Sequence, residues 1–289
     1  MSNFILGHLS LFELVLVCSI LGYSQYIVLR AGVFSMATAG FASIGAYTAA
    51  LLSVRIDSPL WVGLLAAATI GALAGAILAW PLARLRGVFQ AIATLAFVQI
   101  VISIGLYWES MTGGALGLNG IPQLVHFGHL LLVMSMVLYV LITLSRTGIG
   151  RAFDIIRQDE TVAVSLGISV VKYQRLAFIL SGVLGGLGGG LMAYRNYSLV
   201  PEDFGFPLLI SALSFVVLGG RIAVFGPLVG ALILTLLPEL ARPLADYRLA
   251  VNGVLMLLAI IYWPYGVVDT LSLHWRQRRA VRTQVEARS

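Results

Sequence analysis

Long apolar stretches separated by short polar connectors dominate the chain. Nine such runs stand out, at 10–29, 33–53, 60–83, 88–107, 128–145, 174–194, 207–220, 222–240 and 249–267. A helix needs about 20 residues to cross a bilayer, with about 17 tolerated. Eight runs reach that length, and the short run 207–220 reads as a tilted, broken or re-entrant segment. None shows the alternation that the strands of a membrane barrel require. The pattern predicts an all-α, polytopic helical membrane protein with about eight to ten transmembrane helices. Residues 1–275 form one transmembrane domain in this reading, and 276–289 a basic tail.

The connectors are ionisable or rich in Gly and Pro: "RIDSP" (55–59), "RLRG" (84–87), "WESMTGGALGLNGIP" (108–122), "RNYSLVPEDFGFP" (195–207) and "RPLADYR" (242–248). The segment 146–175 differs from them in its charge. It carries Arg146, Arg151, Asp154, Arg157, Asp159, Glu160, Lys172 and Arg175, in a chain that is 10% charged overall. Within the runs, Gly71 and Gly75, and Gly182, Gly186 and Gly190, recur at a spacing that puts each set on one helix face. Lipid supplies no hydrophobic drive between helices, so close backbone approach at small residues holds such bundles together. A glycine-rich phosphate loop would sit at a strand-to-helix turn instead.

Composition agrees with a lipid-solvated chain: 60% of the 289 residues are hydrophobic, and the mean hydropathy is +0.98. The pI near 9.7 reflects topology rather than nucleic-acid binding. With nine crossings and an external N-terminus, fourteen of the eighteen basic residues fall on the inner side; only Arg55, Arg195, Arg242 and Arg248 fall outside. That asymmetry is the positive-inside pattern, and it puts 146–175 and the C-terminus in the cytoplasm. The first basic residue, Arg30, follows the first apolar run, whereas a secretory leader carries its charge before it. A single cysteine, Cys18, excludes an intrachain disulfide and reads as packing.

The chemistry the chain lacks is informative. Its one lysine, Lys172, follows Val171, so there is no Gly-x-x-x-x-Gly-Lys phosphate loop. Any ATP and Mg would be bound by partner subunits, with no cofactor and no metal in this chain, and the protein reads as a non-enzyme. His126 and His129 have no nearby Cys or carboxylate in sequence and read as interfacial. Glu13 and Glu239 lie near run ends, and no midplane carboxylate of the kind ion-coupled carriers use is evident. What remains inside the runs is neutral polarity: Ser35, Thr38, Ser43, Tyr47, Thr94, Gln99, Ser211 and Ser214. These are candidates to line a translocation path. The competing reading is that each hydroxyl bonds its own or a neighbouring helix.

Six stretches, in order, resemble the permease subunits of branched-chain amino acid ABC importers, in particular the LivM-type branch. They are "FASIGAYTAALL" (41–52), "LRGVFQAIATLAFVQIV" (85–101), "TGGALGLNGIP" (112–122), "GRAFDIIRQDETVAVSLGI" (150–168), "LAFILSGVLGGLGGGLMA" (176–193) and "VVLGGRIAVFGPLVGA" (216–231). Two places depart from that pattern. Arg221-Ile222-Ala223-Val224-Phe225 stands where the family has a small Gly/Ser turn, and Ala31-Gly32-Val33-Phe34-Ser35 where it often has a Gly-Gln-x-Ser-like lead into the second helix. The resemblance implies an importer of the bacterial inner membrane. It would comprise two membrane subunits, two cytoplasmic ATPases and a periplasmic solute-binding protein.

Within 146–175, Gly148 and Gly150 precede an expected short helix from Arg151, and Gly167 is its expected stop. Asp154 has Arg157 and Gln158 at bracing distance along that helix. Phe153 and Ile156 offer an apolar ridge, and Arg151, Asp159 and Glu160 offer polar contacts. From 151 to 167 there are two basic residues against three acidic, a balance better suited to a protein partner than to anionic lipid. The resemblance identifies this stretch as the coupling helix that seats in the ATPase. Arg195, Glu202, Asp203, Arg242 and Arg248 are candidates for docking the binding protein, unless they are simply hydrated loop charges. The rival function is a self-sufficient secondary carrier or channel. Urea, amides and aromatic acids are alternative cargoes for the same architecture.

Overall fold

In a computed structural model of the chain, the described residues are 2–82, 84–240, 257 and 266–270. Their main helices are α1 (Ser2–Arg30), α2 (Thr38–Ile56), α3 (Leu60–Leu82), α4 (Val88–Tyr107), α5 (Glu109–Thr112) and α6 (Phe127–Arg146). These are followed by α7 (Gly148–Gln158), α8 (Glu160–Ser165), α9 (Val170–Arg195), α10 (Phe206–Gly219) and α11 (Gly226–Leu240). Helices suit these sequences because every backbone N–H and C=O is then satisfied within its own segment, as hydrocarbon demands.

Among the described residues, seven segments are long and apolar enough to cross a membrane. Of the nine expected runs, one is corrected and one lies largely outside the described residues. The run 222–240 yields a shorter helix, because Arg221–Phe225 forms a turn and α11 begins only at Gly226. The run 249–267 falls largely outside the described residues, as do Arg242, Arg248 and the tail 276–289. The short run 207–220 proves long enough to span. A 3-10 turn at Pro201–Phe204 precedes α10, and together they make the nineteen-residue segment Pro201–Gly219. Pro201, Glu202, Asp203 and Gly205 had masked that extra length in the sequence.

The bundle is built around α9. Its glycines leave no room for side chains: a Cβ on Gly182 would meet the Gly71 carbonyl, one on Gly186 the Ala67 carbonyl, and one on Gly189 the Ala42 carbonyl. Backbone thus lies on backbone where α9 crosses α3 and α2, the close approach expected of small-residue faces in lipid. Tyr194 extends this contact, its hydroxyl donating to the Ala49 carbonyl at 3.2 Å.

The run 33–53 is not one helix. Residues 33–37 are irregular yet buried, apart from Phe34 and the half-buried Met36, and α2 starts only at Thr38. Non-helical backbone at membrane depth survives only where protein satisfies it, and here side chains do so. Gln25 Nε2 donates to the Ser35 carbonyl (2.7 Å), and Met36 N–H donates to Thr94 Oγ1 (2.9 Å). The sequence gives little sign of this break beyond Gly32, whose φ of +77° turns the chain where α1 ends.

At one end of the bundle lie Arg30, Arg86 and Arg146, together with α7 and α8. At the opposite end, the connector 108–126 is fastened to 196–205 through two-residue strands β1 (Leu118–Asn119) and β2 (Ser198–Leu199), paired antiparallel. Ile121 N–H donates to the Tyr197 carbonyl beside them (3.1 Å).

Candidate functional site

The charged segment folds into two helices rather than one. α7 runs from Gly148, three residues before the expected start, to Gln158, and Asp159 breaks it. The break is built by Asp159 itself: its backbone is extended, and its Oδ1 accepts from the N–H groups of Thr161 (2.7 Å) and Val162 (3.3 Å), capping α8. Those two bonds hold the Asp159 carboxyl below the usual carboxylate range. Gly167 does act as a stop, but for α8 rather than for the helix begun at Gly148. With φ at +77°, its N–H bonds the Val164 carbonyl and that of Ile168 bonds the Ala163 carbonyl, both at 2.9 Å.

The Phe153/Ile156 ridge exists, but it turns inward. Both residues are buried; Phe153 stacks edge-on against Tyr173 of α9, and Ile156 packs with Ala163 and Val170. A helical apolar period identifies a face without saying what that face meets, and here it meets the chain's own bundle. Asp154 likewise makes no brace to Arg157 or Gln158. It forms a bidentate ion pair with Arg30, Nε and Nη2 each 3.0 Å from one carboxylate oxygen. Arg30 was not among the expected residues, and no local signal joins two positions 124 apart in sequence.

Further contacts fasten the hairpin. Glu160 accepts from Gln174 Nε2 of α9 (3.2 Å) and pairs with Arg86 of the α3–α4 connector (3.2 Å). Gly32 abuts the α7 backbone at Ile156 and Arg157. Arg30 also donates to the Tyr26 hydroxyl (3.2 Å), which in turn donates to the Ile222 carbonyl (2.9 Å). The Asp269 carboxylate accepts from the N–H groups of Ile222 (2.8 Å) and Ala223 (2.7 Å). A continuous polar chain therefore runs from α7 through the end of α1 to the α10–α11 turn. What remains open includes Arg151 on α7, Asp159, and three apolar side chains that flank the buried Ala163, with Val162 and Leu166 on one side and Val164 on the other; they are 49%, 63% and 61% exposed.

The candidate path residues divide into groups. Ser35, Thr38 and Thr94 are buried in a closed network: Thr38 Oγ1 donates to Gln25 Oε1 (2.8 Å), and Ser24 Oγ donates to the Ser181 carbonyl (2.8 Å) beside it. Thr94 Oγ1 also bonds the Ala91 carbonyl (2.8 Å). Ser211 and Ser214 return their hydroxyls to Pro207 and Ile210 of their own helix, each at 2.8 Å. Ser43 and Tyr47 instead line a cavity of about 220 Å³ between α2 and α4, with Thr48, Trp108 and Thr112. The Tyr47 hydroxyl is buried there with no hydrogen-bond partner among the described residues. Gln99 stands apart, exposed on the outer face of α4.

At the opposite end, Arg195 donates to the Ser10 carbonyl (3.0 Å), and Asp203 accepts from Val200 N–H (3.2 Å). Glu202 is exposed. His126 and His129 occupy the start of α6, where the His126 N–H donates to His129 Nδ1 (3.4 Å). Among the described residues, no three His, Cys, Asp or Glu side chains gather into a metal-binding group.

Comparison with known proteins decides what kind of molecule carries these features. Residues 8–261 match the family described as branched-chain amino acid transport system / permease component. The chain belongs to this family. The permease is 31% identical to the high-affinity branched-chain amino acid transport system permease protein LivM of Salmonella typhimurium, and equally to that of Escherichia coli K12. Each alignment covers 91% of the permease and 70% of the relative. It is 30% identical to the ribose import permease protein RbsC of Bacillus subtilis, over 59% of the permease and 58% of that relative. No solved structure matches it. It is thus a multi-pass membrane protein and a permease component, like its relatives.

Proposed function

We propose that the permease is one of two membrane subunits of a binding-protein-dependent ABC importer. In this reading it moves branched-chain or related small amino acids across a bacterial inner membrane. The observation that carries this reading is the likeness to the LivM proteins over 91% of the chain. The excess of basic residues at the α7–α8 end supports placing that end, and the C-terminus, in the cytoplasm. ATP and Mg are then bound by two separate ATPase subunits, and a periplasmic protein delivers the solute.

The α7–α8 hairpin is the element through which drive enters. Val162, Val164 and Leu166 are exposed on the two flanks of α8, so that α8 can seat as an apolar plug in a groove on the ATPase, with Arg151 and Asp159 free for polar contacts. Closure of the ATPase pair pushes this plug, and the Arg30–Asp154 pair carries the motion into α1. Phe153, Ile156, Arg157 and Glu160 serve by holding the hairpin to the bundle. A two-state bundle responds to ATP only if the ATPase grips its two states differently, and a hairpin fastened to α1, α9 and the α3–α4 connector gives it that purchase. On the solute side, the cavity at Ser43 and Tyr47 supplies unsatisfied hydroxyl chemistry next to an apolar wall, which fits an amino acid with a branched side chain.

Reconstitution with the ATPases and the binding protein tests this reading. Uptake of leucine, isoleucine or valine should require ATP inside the ATPase compartment and the binding protein outside. Uptake by the permease alone, driven by an ion gradient, would overturn it in favour of a secondary carrier. ATP-dependent uptake of a sugar without amino-acid uptake would keep the architecture and overturn the cargo.

A further inference from the structure

The helices at the rim of the bundle have very different outer faces. α3 presents Leu65, Leu73, Ile77 and Trp80, a surface that is apolar apart from the Thr69 hydroxyl and the Trp80 indole N–H near its end. Where polar side chains occur on such faces they bond their own helix: Thr69 donates to the Ala66 carbonyl (2.9 Å) and Ser135 to the Leu131 carbonyl (2.7 Å). α4 breaks this pattern. Gln99 and Ser103, one helical turn apart, are both exposed, and neither makes a hydrogen bond among the described residues.

Depth makes this consequential. α4 has twenty residues, and Gln99 lies within about 2 Å of its midpoint at a rise of ~1.5 Å per residue. Headgroups and water are out of reach of a side chain there, and acyl chains offer no partner to an amide with two donors and an acceptor. A glutamine, unlike serine or threonine, cannot fold its donors back onto the preceding turn without leaving its oxygen bare.

Spacing adds an independent indication. Ile92, Ala96, Gln99 and Ser103 are all exposed, at intervals of four, three and four. That is the seam of two helices packed with a left-handed crossing, and Ala96 permits close approach at its centre. The opposite side of α4 is already occupied, with Val98 and Ile102 packed against Ala39 of α2 and Leu209 of α10.

We propose that the Ile92–Ala96–Gln99–Ser103 face of α4 is the surface on which the second membrane subunit docks, with the Gln99 amide hydrogen-bonded to a polar side chain of the facing helix. This rests on the reading of the permease as one of two membrane subunits. It goes further by assigning the helix, the register and the residue that make the pairing specific. Lipid covers α3, and protein covers α4.

Photocrosslinking in membranes that contain the complete importer tests the assignment. A benzoylphenylalanine replaces Ser103 in one variant and Ile77 of α3 in another. The Ser103 variant should give an adduct that mass spectrometry identifies as this chain joined to a second permease-family subunit, at least fivefold above the Ile77 variant. Equal labelling from both positions, lipid adducts alone, or a crosslink from 103 into residues 241–265 of the same chain would each overturn it. Gln99→Leu should lower recovery of the second subunit with the purified permease several-fold, and Gln99→Asn should restore part of it. Full recovery with leucine would overturn the role of the amide. The two levels of the argument separate cleanly. A second subunit that copurifies but does not touch position 103 defeats this inference alone, whereas a wild-type permease that copurifies with no second subunit defeats the two-subunit reading as well.

Discussion

The two ends of the permease are tied down by different chemistry. At the α7–α8 end the ties are charges: Arg30–Asp154 and Arg86–Glu160 are both of the ion pairs found among the described residues. At the opposite end they are hydrogen bonds to backbone: the β1–β2 pairing, the Ile121–Tyr197 bond, Thr112 Oγ1 donating to the Gly105 carbonyl at 2.6 Å, and Arg195 donating to the Ser10 carbonyl at 3.0 Å. A backbone pairing sets a fixed geometry for a cap. A long side-chain ion pair tolerates small displacements while still transmitting force, which is what a moving part requires. Among the described residues, opposite charges pair only at the end where drive is proposed to enter, whereas at the other end Arg55 and Arg195 bond carbonyls instead.

Breaking the buried pair should have the largest effect. Asp154→Ala strands the Arg30 guanidinium, whose side chain is 9% exposed, at a cost of about 3 kcal/mol. Uptake should fall at least tenfold, and the thermal midpoint in detergent should drop by several degrees. The swap Arg30→Asp with Asp154→Arg should recover part of both losses, and recovery of stability without recovery of uptake would show that the pair only braces the fold.

Gly117→Val attacks the other end. Gly117 has φ of +71°, and a Cβ there would collide with the Leu199 carbonyl. With ψ at −178° as well, this is backbone that glycine alone adopts readily, and it costs a branched residue about 1–3 kcal/mol, so the cap should loosen. The expected outcome is a weakened response to the binding protein, with ATP hydrolysis by the assembled complex unchanged. A loss of hydrolysis equal to that of Asp154→Ala would erase the contrast between the ends.

Glu160→Gln is milder. It removes the pair with Arg86, whose side chain is 75% exposed, and such pairs contribute less than about 1 kcal/mol. The effect on uptake should be within about twofold and should fade as salt is raised in the wild type.

The smallest effect should be a pH response at the α7–α8 break. Because Asp159 is held below its ordinary range by the bonds it accepts in the folded chain, its cap contributes stability above the unfolded carboxylate range. That stability is lost as pH falls through the lowered folded value. Amide exchange at Thr161 and Val162 should accelerate on acidification, and Asp159→Asn should flatten this dependence.

Much of the fold was legible because lipid imposes simple rules on sequence. Span length gave α3, α4 and α6 nearly to the residue, and glycine spacing marked the packing faces of α3 and α9, though not that they meet each other. Gly167 marked its turn because a left-handed cap selects glycine. The irregular 33–37 segment was hidden, since its backbone is satisfied by Gln25 and Thr94 from other helices, and apolar text looks the same whether helical or not. The candidate site was only half visible. The charge drew attention to 146–175, but Phe153 and Ile156 were read as facing a partner when they face the bundle. The exposed Val162, Val164 and Leu166 were missed because two valines and a leucine draw no notice in a chain this apolar. Arg30 passed for a topological charge until the fold brought Asp154 against it.

The central claim is that drive enters through the exposed apolar side chains of α8 and its C-terminal turn. Its most direct test is solute uptake per ATP hydrolysed by the complete reconstituted importer carrying Val164→Glu and Leu166→Glu. These positions are more than half exposed, so the permease should insert and fold normally. Uptake per ATP is expected to fall at least tenfold; a ratio equal to that of the wild type would contradict the account.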